Sequence, residues 1–391
     1  MKTVSKARAC KRKSFLAVIV SLLICLFTYL SDCCPFQLLG SLELFSYIAP
    51  VIGNNKPFPT DVMLVNTAKD LELVEIDGGN AVVSDRSKLA RFLQIADSVR
   101  NYRHVFFDIL LPEGYQSPND SALVSVLNRL PRLTMAKSRD IHGVDVPLSY
   151  SEQLESGRFY NDYGYTVTNA IFTRYQLIQN SESSAALHLY GNVGTSKDKV
   201  TKFGPFFFSH GLLCQGSPII PLSEKFCSTN RIGRDRFTRV MLGDYLKENR
   251  NDLVNEMKDK IILISNFSTD VHATYLGPVP GALWTYASYD YLAKGKHIIY
   301  PWKFISLFLL YFLLCLGILC DTGRKIIERC FKGKLGLLIS SLIGFGIILT
   351  AVSVIIYCLH GIILTTFIPS VILSLVCTFT KSDIIHYPNE S

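Results

Sequence analysis

The segment HVFFDILL, residues 104–111, is a continuous apolar run that is interrupted by a single acid. An apolar run of this length without alternation is typical of a strand that is covered on both faces, as in a parallel sheet. Further strand-like segments lie at 61–65 (DVMLV), at Leu71–Ile76 and at 132–137 (RLTMAK). We expect these segments to belong to one sheet.

Helical segments separate these strands. Ser84 and Asp85 can cap a helix whose apolar residues recur at helical spacing through Val99. A second helix follows from Asp120. Because strands alternate with helices, the sequence predicts an α/β domain with a mainly parallel sheet flanked by helices, occupying residues 35–300.

The same alternation returns near the end of this domain, with the strand KIILIS at 260–265 and a helix at about 282–294. The pattern is weaker between about 150 and 235. Only two short strands are predicted there, at 163–169 and at 185–190.

Four apolar runs predict a membrane protein. Of the 391 residues, 49% are hydrophobic and 18% are charged, and the mean hydropathy is +0.25. Each run is long enough to cross or nearly cross a hydrocarbon layer of about 30 Å. The runs, one amino-terminal and three carboxyl-terminal, are 14–31, 304–320, 335–358 and 361–379. The first fits a signal peptide or a retained anchor, and the lack of a small-x-small cleavage site after it favours the anchor.

The positive charge of the chain predicts its orientation. Residues 1–13 hold six Lys or Arg and no acid, and residues 321–334 hold five basic and two acidic residues. The positive-inside rule therefore places both segments and the tail 380–391 in the cytoplasm, and residues 35–300 outside it. Since these flanks account for the whole net charge of +8, no basic excess remains for nucleic-acid binding.

Several segments, in their order along the chain, resemble the second type of CHASE domain, the cyclase- and histidine-kinase-associated sensory extracellular domain of bacterial membrane receptors. They are VEIDGGN (74–80), VFFDILLPE (105–113), KDKIILISNFSTDVHAT (258–274) and PGALWTYASYDYLAKG (280–295). The resemblance implies a sensory role, a multi-pass protein of the bacterial inner membrane, and a periplasmic location for residues 35–300. Members of the family commonly continue into an output domain. This chain ends 12 residues after Phe379, so a separate output protein is expected.

Polar residues at the predicted strand ends form the candidate ligand site. Acids follow predicted strands at Asp77, Asp108 and Asp270, at the edge where open α/β sheets place ligands. The resemblance places these three acids, together with Arg86, Asp120 and Thr274, at motif positions of the family, and His272 lies nearby in the sequence. The candidate ligand-site residues are therefore Asp77, Arg86, Asp108, Asp120, Asp270, His272 and Thr274. The alternative is structural: Asp108 would cap or pair with Arg86 to organise the loops.

Other chemistry receives less support from the sequence. Asp270-x-His272-x-Thr274 falls short of a zinc site, which needs three or four ligands, so no metal or cofactor is predicted. No nucleophile elbow is present, so the chain is not predicted to be an enzyme. In an oxidising compartment Cys214 and Cys227 are candidates for a disulfide.

Two functional hypotheses remain. The first is a membrane sensor subunit that binds a small molecule or an envelope component and signals through its membrane helices to the output protein. The second is a scaffold or assembly protein of the envelope that signals nothing. The expected partners are the lipid bilayer, that ligand, the output protein and, through Cys33 and Cys34, a second copy of the chain, but no nucleic acid.

Overall fold

The computed structural model describes residues 2–30, 59–137, 159–161, 164–166, 172–179, 182–193, 200–204, 206–222, 240–274, 277–319, 334–360, 364 and 366–380. The chain divides into two compact units. The α/β unit comprises Asn54–Thr201 and Gly216–His297, and the helical unit comprises Met1–Gly53, Lys202–Gln215 and Ile298–Ser391.

The elements follow one another in this order: α1 (Lys2–Leu30), β1 (Val62–Asn66), β2 (Leu71–Ile76), β3 (Gly79–Ser84), α2 (Arg86–Val99), β4 (His104–Asp108), α3 (Asp120–Arg129), β5 (Leu133–Lys137), β6 (Phe159–Asn161), β7 (Gly164–Thr166), β8 (Phe172–Tyr175), β9 (Ile178–Gln179), β10 (Glu182–Ser183), α4 (Ala185–Val193), β11 (Thr201–Phe203), β12 (Phe206–Ser209), β13 (Leu212–Cys214), α5 (Leu242–Tyr245), α6 (Arg250–Met257), β14 (Ile261–Ser265), β15 (Val271–Thr274), β16 (Gly277–Pro280), α7 (Gly281–Ala293), α8 (Pro301–Leu319), α9 (Lys334–His360) and α10 (Phe367–Thr380).

The α/β unit is built on a five-stranded sheet in the order β1-β14-β4-β5-β6, and its strands pair in parallel. The last of these strands along the chain, β14, therefore lies between the first two, β1 and β4. Its side chains are all buried, as expected for an apolar strand at the centre of a parallel sheet. The predicted parallel sheet flanked by helices is confirmed.

Helices cover this sheet because successive side chains along each strand point to opposite faces. Val105 and Phe107 of β4 join the apolar core beneath α2 and α3. His104, which starts the same strand, is instead linked through Thr134 of β5 to His188 of α4. The helices α4 and α7 pack against each other and contact the sheet.

Two predictions for this unit were wrong. The strand β2 does not join the parallel sheet but pairs antiparallel with β3 in a separate hairpin. Residues 185–190, predicted as a strand, lie in the helix α4, whose Ala and Leu residues favour helix. Ser184 precedes that helix, and its hydroxyl accepts the N–H of Leu187 at 3.4 Å.

Within the described residues, the helical unit contains two helices, α8 and α9, that are long and apolar enough to cross a membrane, and a shorter apolar helix, α10. An apolar cluster joins α1 to these helices through residues that include Ile24, Leu307, Cys315 and Leu373. A hairpin of β12 and β13 belongs to the same unit, where the N–H of Ile299 donates to the carbonyl of Leu213 at 2.8 Å.

Candidate functional site

Three polar residues stand side by side at the carboxyl edge of the parallel sheet. Asn66 ends β1, Ser265 ends β14 and Asp108 ends β4, and strand register pairs Asn66 with Ser265 and Ser265 with Asp108. The Ser265 hydroxyl donates to Asp108 Oδ2 at 3.1 Å. Asn66 and Ser265 are fully buried, whereas Asp108 is partly exposed. The predicted placement of Asp108 at this edge therefore matches the structure.

Asn66 fixes the loops around that edge. Its Oδ1 accepts the N–H groups of Ala68, at 3.0 Å, and of Phe267, at 3.2 Å. The N–H of Thr67 donates to the carbonyl of Ser265 at 3.1 Å. The loops that follow β1 and β14 are thus joined by side-chain and backbone bonds. The prediction missed Asn66, although a lone amide at the end of the apolar run VMLV was a visible signal.

Arg86 and Asp120 form a buried ion pair. Arg86 begins α2 and Asp120 begins α3, with 3.4 Å between Arg86 Nε and Asp120 Oδ1 and side-chain exposures of 1% and 4%. Asp120 Oδ2 also accepts the N–H of Ser117 at 2.6 Å. The alternative interpretation of the sequence paired Arg86 with Asp108. In the structure, Arg86 forms an ion pair with Asp120. An acid at a helix amino terminus is favourable, and here it also compensates the cation buried beside it.

Asp70, an acid that the prediction missed, anchors the loop after β1. Its Oδ1 lies 2.8 Å from Lys88 Nζ, and its Oδ2 accepts the N–H of Gly243 at 2.9 Å. The hydrogen bond to Asp70 raises the pKa of Lys88. A Cβ at Gly243 would lie only 2.5 Å from Asp70 Oδ1, so only glycine fits there without a shift. Asp70 is therefore a structural anchor.

Asp270 and His272 lie beside the amino terminus of α7 and not in the parallel sheet. Both flank the start of β15, which belongs to the sheet β16-β15-β8-β7. Their side chains are 3.8 Å apart, and the N–H of Gly281 donates to the Asp270 carbonyl at 3.0 Å. A Cβ at Gly281 would lie 2.9 Å from Asp270 Oδ2 and 2.9 Å from His272 Nε2. The absence of a side chain at Gly281 therefore lets both side chains approach the helix.

The two remaining predicted residues lie outside the parallel sheet. The Thr274 hydroxyl, at the end of β15, donates to the carbonyl of Gly277, at the start of β16, at 2.7 Å. Asp77 is exposed at the turn of the β2–β3 hairpin. Asp77 therefore follows a strand of the hairpin and not a strand of the parallel sheet.

A buried polar chain on the α4 face of the sheet also escaped prediction. The Thr134 hydroxyl lies 2.8 Å from His104 Nε2 and 2.8 Å from His188 Nδ1. One hydroxyl hydrogen can serve only one ring, so the other ring must donate to the hydroxyl. Burial, followed by His188 and Arg132, lowers the pKa of His104 to about 3, and burial lowers that of His188 to about 4. Both rings are therefore neutral at pH 7.

At the opposite, amino edge of the sheet, polar contacts hold α7. Tyr286 donates to Asp61 Oδ1 at 3.1 Å, and Arg103 Nη1 lies 3.0 Å from Asp61 Oδ2. Arg103 Nη2 donates to Tyr289 at 3.3 Å. Burial, with Asp61 as the next cause, raises the pKa of Tyr286. The two tyrosines thus fasten one face of α7 to the start of the sheet.

Within the described ranges, no group of three or more His, Cys, Asp or Glu side chains could hold a metal ion. Cys214 is buried, while Cys227 lies outside the described residues, as do Cys33 and Cys34. Both proposed cysteine pairings therefore stay predictions.

Comparison of the chain with models of known protein families, with curated proteins and with solved structures finds no significant match.

Proposed function

We propose that this chain is a sensor subunit of a bacterial inner membrane. Its α/β unit binds a small ligand at the carboxyl edge of β1, β14 and β4, and α7 passes the event to the membrane helices and from there to an output protein. The main support for this proposal is the position of Asp108. Its carboxylate is partly exposed, and strand register places it beside the buried Ser265, which is itself paired with the buried Asn66. Open α/β sheets bind ligands at this edge. The resemblance to CHASE domains supports a sensory role.

The proposed membrane topology has four spans, α1, α8, α9 and α10. These helices share one apolar cluster, and their outward side chains are apolar as well: Leu313 is 65% exposed and Ile347 66%. An apolar outer surface on a helix bundle is what a lipid environment stabilises. The basic segments 1–13 and 321–334 then lie in the cytoplasm, and the α/β unit lies in the periplasm.

The chemistry of the edge favours a ligand rich in hydrogen-bond donors. An ionised carboxylate only accepts hydrogen bonds, and Ser265 already donates its hydroxyl hydrogen to Asp108. A ligand that binds here would therefore present an ammonium group or several hydroxyl groups. Amines and polyols are the classes that we assign to the site.

A continuous backbone path leads from this edge to α7. Asn266 follows Ser265, and its Oδ1 accepts the N–H groups of Ser268 and Thr269, each at 3.1 Å. The N–H of Asp270 donates to the Asn266 carbonyl at 3.0 Å, and the Asp270 carbonyl accepts the first N–H of α7. A shift of the loop after β14 would therefore act on the start of α7. Along the chain, α7 is followed after residues 294–300 by α8.

Thermal unfolding of the full chain in lipid nanodiscs tests the ligand site. The probes are putrescine, spermidine, inositol and glucose, with ATP as an anionic comparison. We expect at least one amine or polyol to raise the Tm of the wild type, since binding to the native state stabilises it by RT ln(1 + [L]/Kd). Asp108→Asn should abolish that rise, whereas Asp77→Asn, at the exposed hairpin turn, should retain it. A rise of equal size in the Asp108→Asn variant would contradict the site.

A scaffold function is the second candidate, and the β2–β3 hairpin favours it. Leu73 and Val82 pair across the hairpin and are 72% and 61% exposed. Leu71 on the same hairpin is 44% exposed as well. Contiguous exposed apolar patches are a feature of protein interaction sites. If the chain is a scaffold, the double variant Leu73→Ser and Val82→Ser should lose partners that crosslink to the wild type in cells, and Asp108→Asn should keep them.

A further inference from the structure

A cavity of about 280 Å³ lies in the helical unit, between the first turns of α8 and the last turns of α9. Its walls are mostly aliphatic, and polar side chains stand at the helix ends. The residues that line it are Trp302, Lys303, Ser306, Leu307, Leu310, Val352, Ile356, His360 and Leu364. The volume lies just below the usual range for sites that enclose a whole drug-sized ligand, so it fits part of a larger molecule.

The polar rim of the cavity carries basic and aromatic groups. Lys303 Nζ donates to the Ile298 carbonyl at 3.0 Å and lies 4.8 Å from the ring centre of Tyr300. An ammonium group has three hydrogens, so two remain after that bond for a ligand. The ring centres of Trp302 and His360 are 5.4 Å apart. Among the described lining residues none is acidic, so the rim complements an anion.

We propose that this cavity binds an anionic phospholipid, with the phosphate at Lys303 and His360 and an acyl chain along Leu307, Leu310 and Ile356. Tryptophan and lysine are the side chains that occur where a membrane helix meets the lipid headgroups. The aliphatic wall then continues toward the hydrocarbon layer. On the membrane topology proposed above, on which this inference rests, the lipid belongs to the outer leaflet.

Quenching of tryptophan fluorescence by brominated lipids tests this site in the full chain. The chain has two tryptophans: Trp284 is fully buried in the α/β unit, and Trp302 is half exposed at the cavity. The protein is placed in nanodiscs that contain equal amounts of dibromo-phosphatidylglycerol or of dibromo-phosphatidylcholine in an unbrominated phosphatidylcholine background. We expect the anionic lipid to quench more, with an apparent affinity about fivefold higher.

Variants assign that preference to the cavity. Lys303→Gln should remove the preference for phosphatidylglycerol, and Lys303→Arg should keep it. Lys294→Gln removes an equal charge at a residue that pairs with Asp290, outside the cavity, and should also keep it. Trp302→Phe should abolish the quenching itself.

Two kinds of result would contradict the lipid site, and they differ in what they imply for the membrane topology. Equal quenching of the wild type by both lipids, or a preference that survives in Lys303→Gln, would overturn the lipid site and leave the proposed topology standing. No quenching by either lipid would overturn both, because Trp302 would then lie outside the bilayer.

Discussion

At the scale of single residues, the buried pair of Arg86 and Asp120 is predicted to be needed for stability. Asp120→Ala would leave a cation at 1% exposure without the carboxylate 3.4 Å away. Removing one partner of such a pair costs about 3–5 kcal/mol of unfolding free energy. Chemical unfolding of the full chain measures the loss.

The matched control for that variant is an exposed pair. Lys247 and Asp244 lie 3.1 Å apart with side-chain exposures of 79% and 56%. Asp244→Ala should cost less than about 1 kcal/mol, because solvent screens the charges. If both variants lose the same free energy of unfolding, the buried pair of Arg86 and Asp120 stabilises the fold no more than the exposed pair does.

The buried histidines predict how stability depends on pH. The folded-state pKa values of His104 and His188 are about 3 and about 4, below the ordinary value of 6.5. Between the folded-state pKa values of about 3 and about 4 and the ordinary value of 6.5, the unfolded chain therefore binds more protons than the folded chain. The stability that neutral rings contribute is complete above pH 6.5 and is lost as the pH falls toward 3–4. At pH 5 the loss is on the order of 1–2 kcal/mol for each ring.

The measurement is the difference in Tm between pH 7 and pH 5. His188→Gln should reduce this difference, because the ring no longer resists protonation in the fold. His210→Asn, at the exposed turn between β12 and β13, serves as the control and should keep it. If the difference in Tm between pH 7 and pH 5 is the same in His188→Gln as in the wild type, the polar chain is not the cause of the pH dependence.

Among these residues, Asp108 could be predicted because its acid ends an apolar run. The partners of the other acids could not. Arg86 lies 34 positions before Asp120, and Asp70 binds a backbone N–H at Gly243, 173 positions away. Neither contact has a local pattern, since each depends on how distant loops meet after the sheet has formed.

At the scale of elements, two glycines in helices should respond in opposite ways to an added methyl group. Gly243→Ala in α5 would press a Cβ against Asp70 at 2.5 Å, and Asp70 is held by two bonds and 5% exposed. Overpacking of this kind costs about 1–3 kcal/mol. Gly191→Ala in α4 meets no atom within 4 Å and should stabilise by up to about 1 kcal/mol. Thermal unfolding of both variants distinguishes the signs, and a neutral Gly243→Ala would contradict the anchoring role of Asp70.

The elements that the sequence predicted well carry strong local signals. The capping of α2 by Asp85, whose side chain accepts the N–H of Lys88, follows the predicted start of that helix. The apolar run at 260–265 predicted the strand β14, which is buried along its whole length. The strand β2 was found, but its partner was not, because an alternating segment does not specify which edge it pairs with. The helix α4 was missed because its short apolar run is compatible with strand or helix.

At the scale of the whole molecule, composition predicted a membrane protein, and the part of the chain that the structure describes contains two helices long and apolar enough to span a membrane. The division of the chain could not be predicted in full. Lys202–Gln215 belongs to the helical unit, although along the chain it lies between the two segments of the α/β unit. That placement depends on bonds such as Leu213 to Ile299, which join segments far apart along the chain.

Amide hydrogen exchange of the full chain in nanodiscs tests whether the carboxyl edge of the sheet is coupled to α7. Asp108→Ala removes the acceptor of the Ser265 hydroxyl, a bond worth about 1 kcal/mol. We predict about fivefold faster exchange in the loop 266–270 and in α7, while Asp77→Ala changes exchange only in the β2–β3 hairpin. Exchange in α7 that is the same in Asp108→Ala as in the wild type would contradict the coupling.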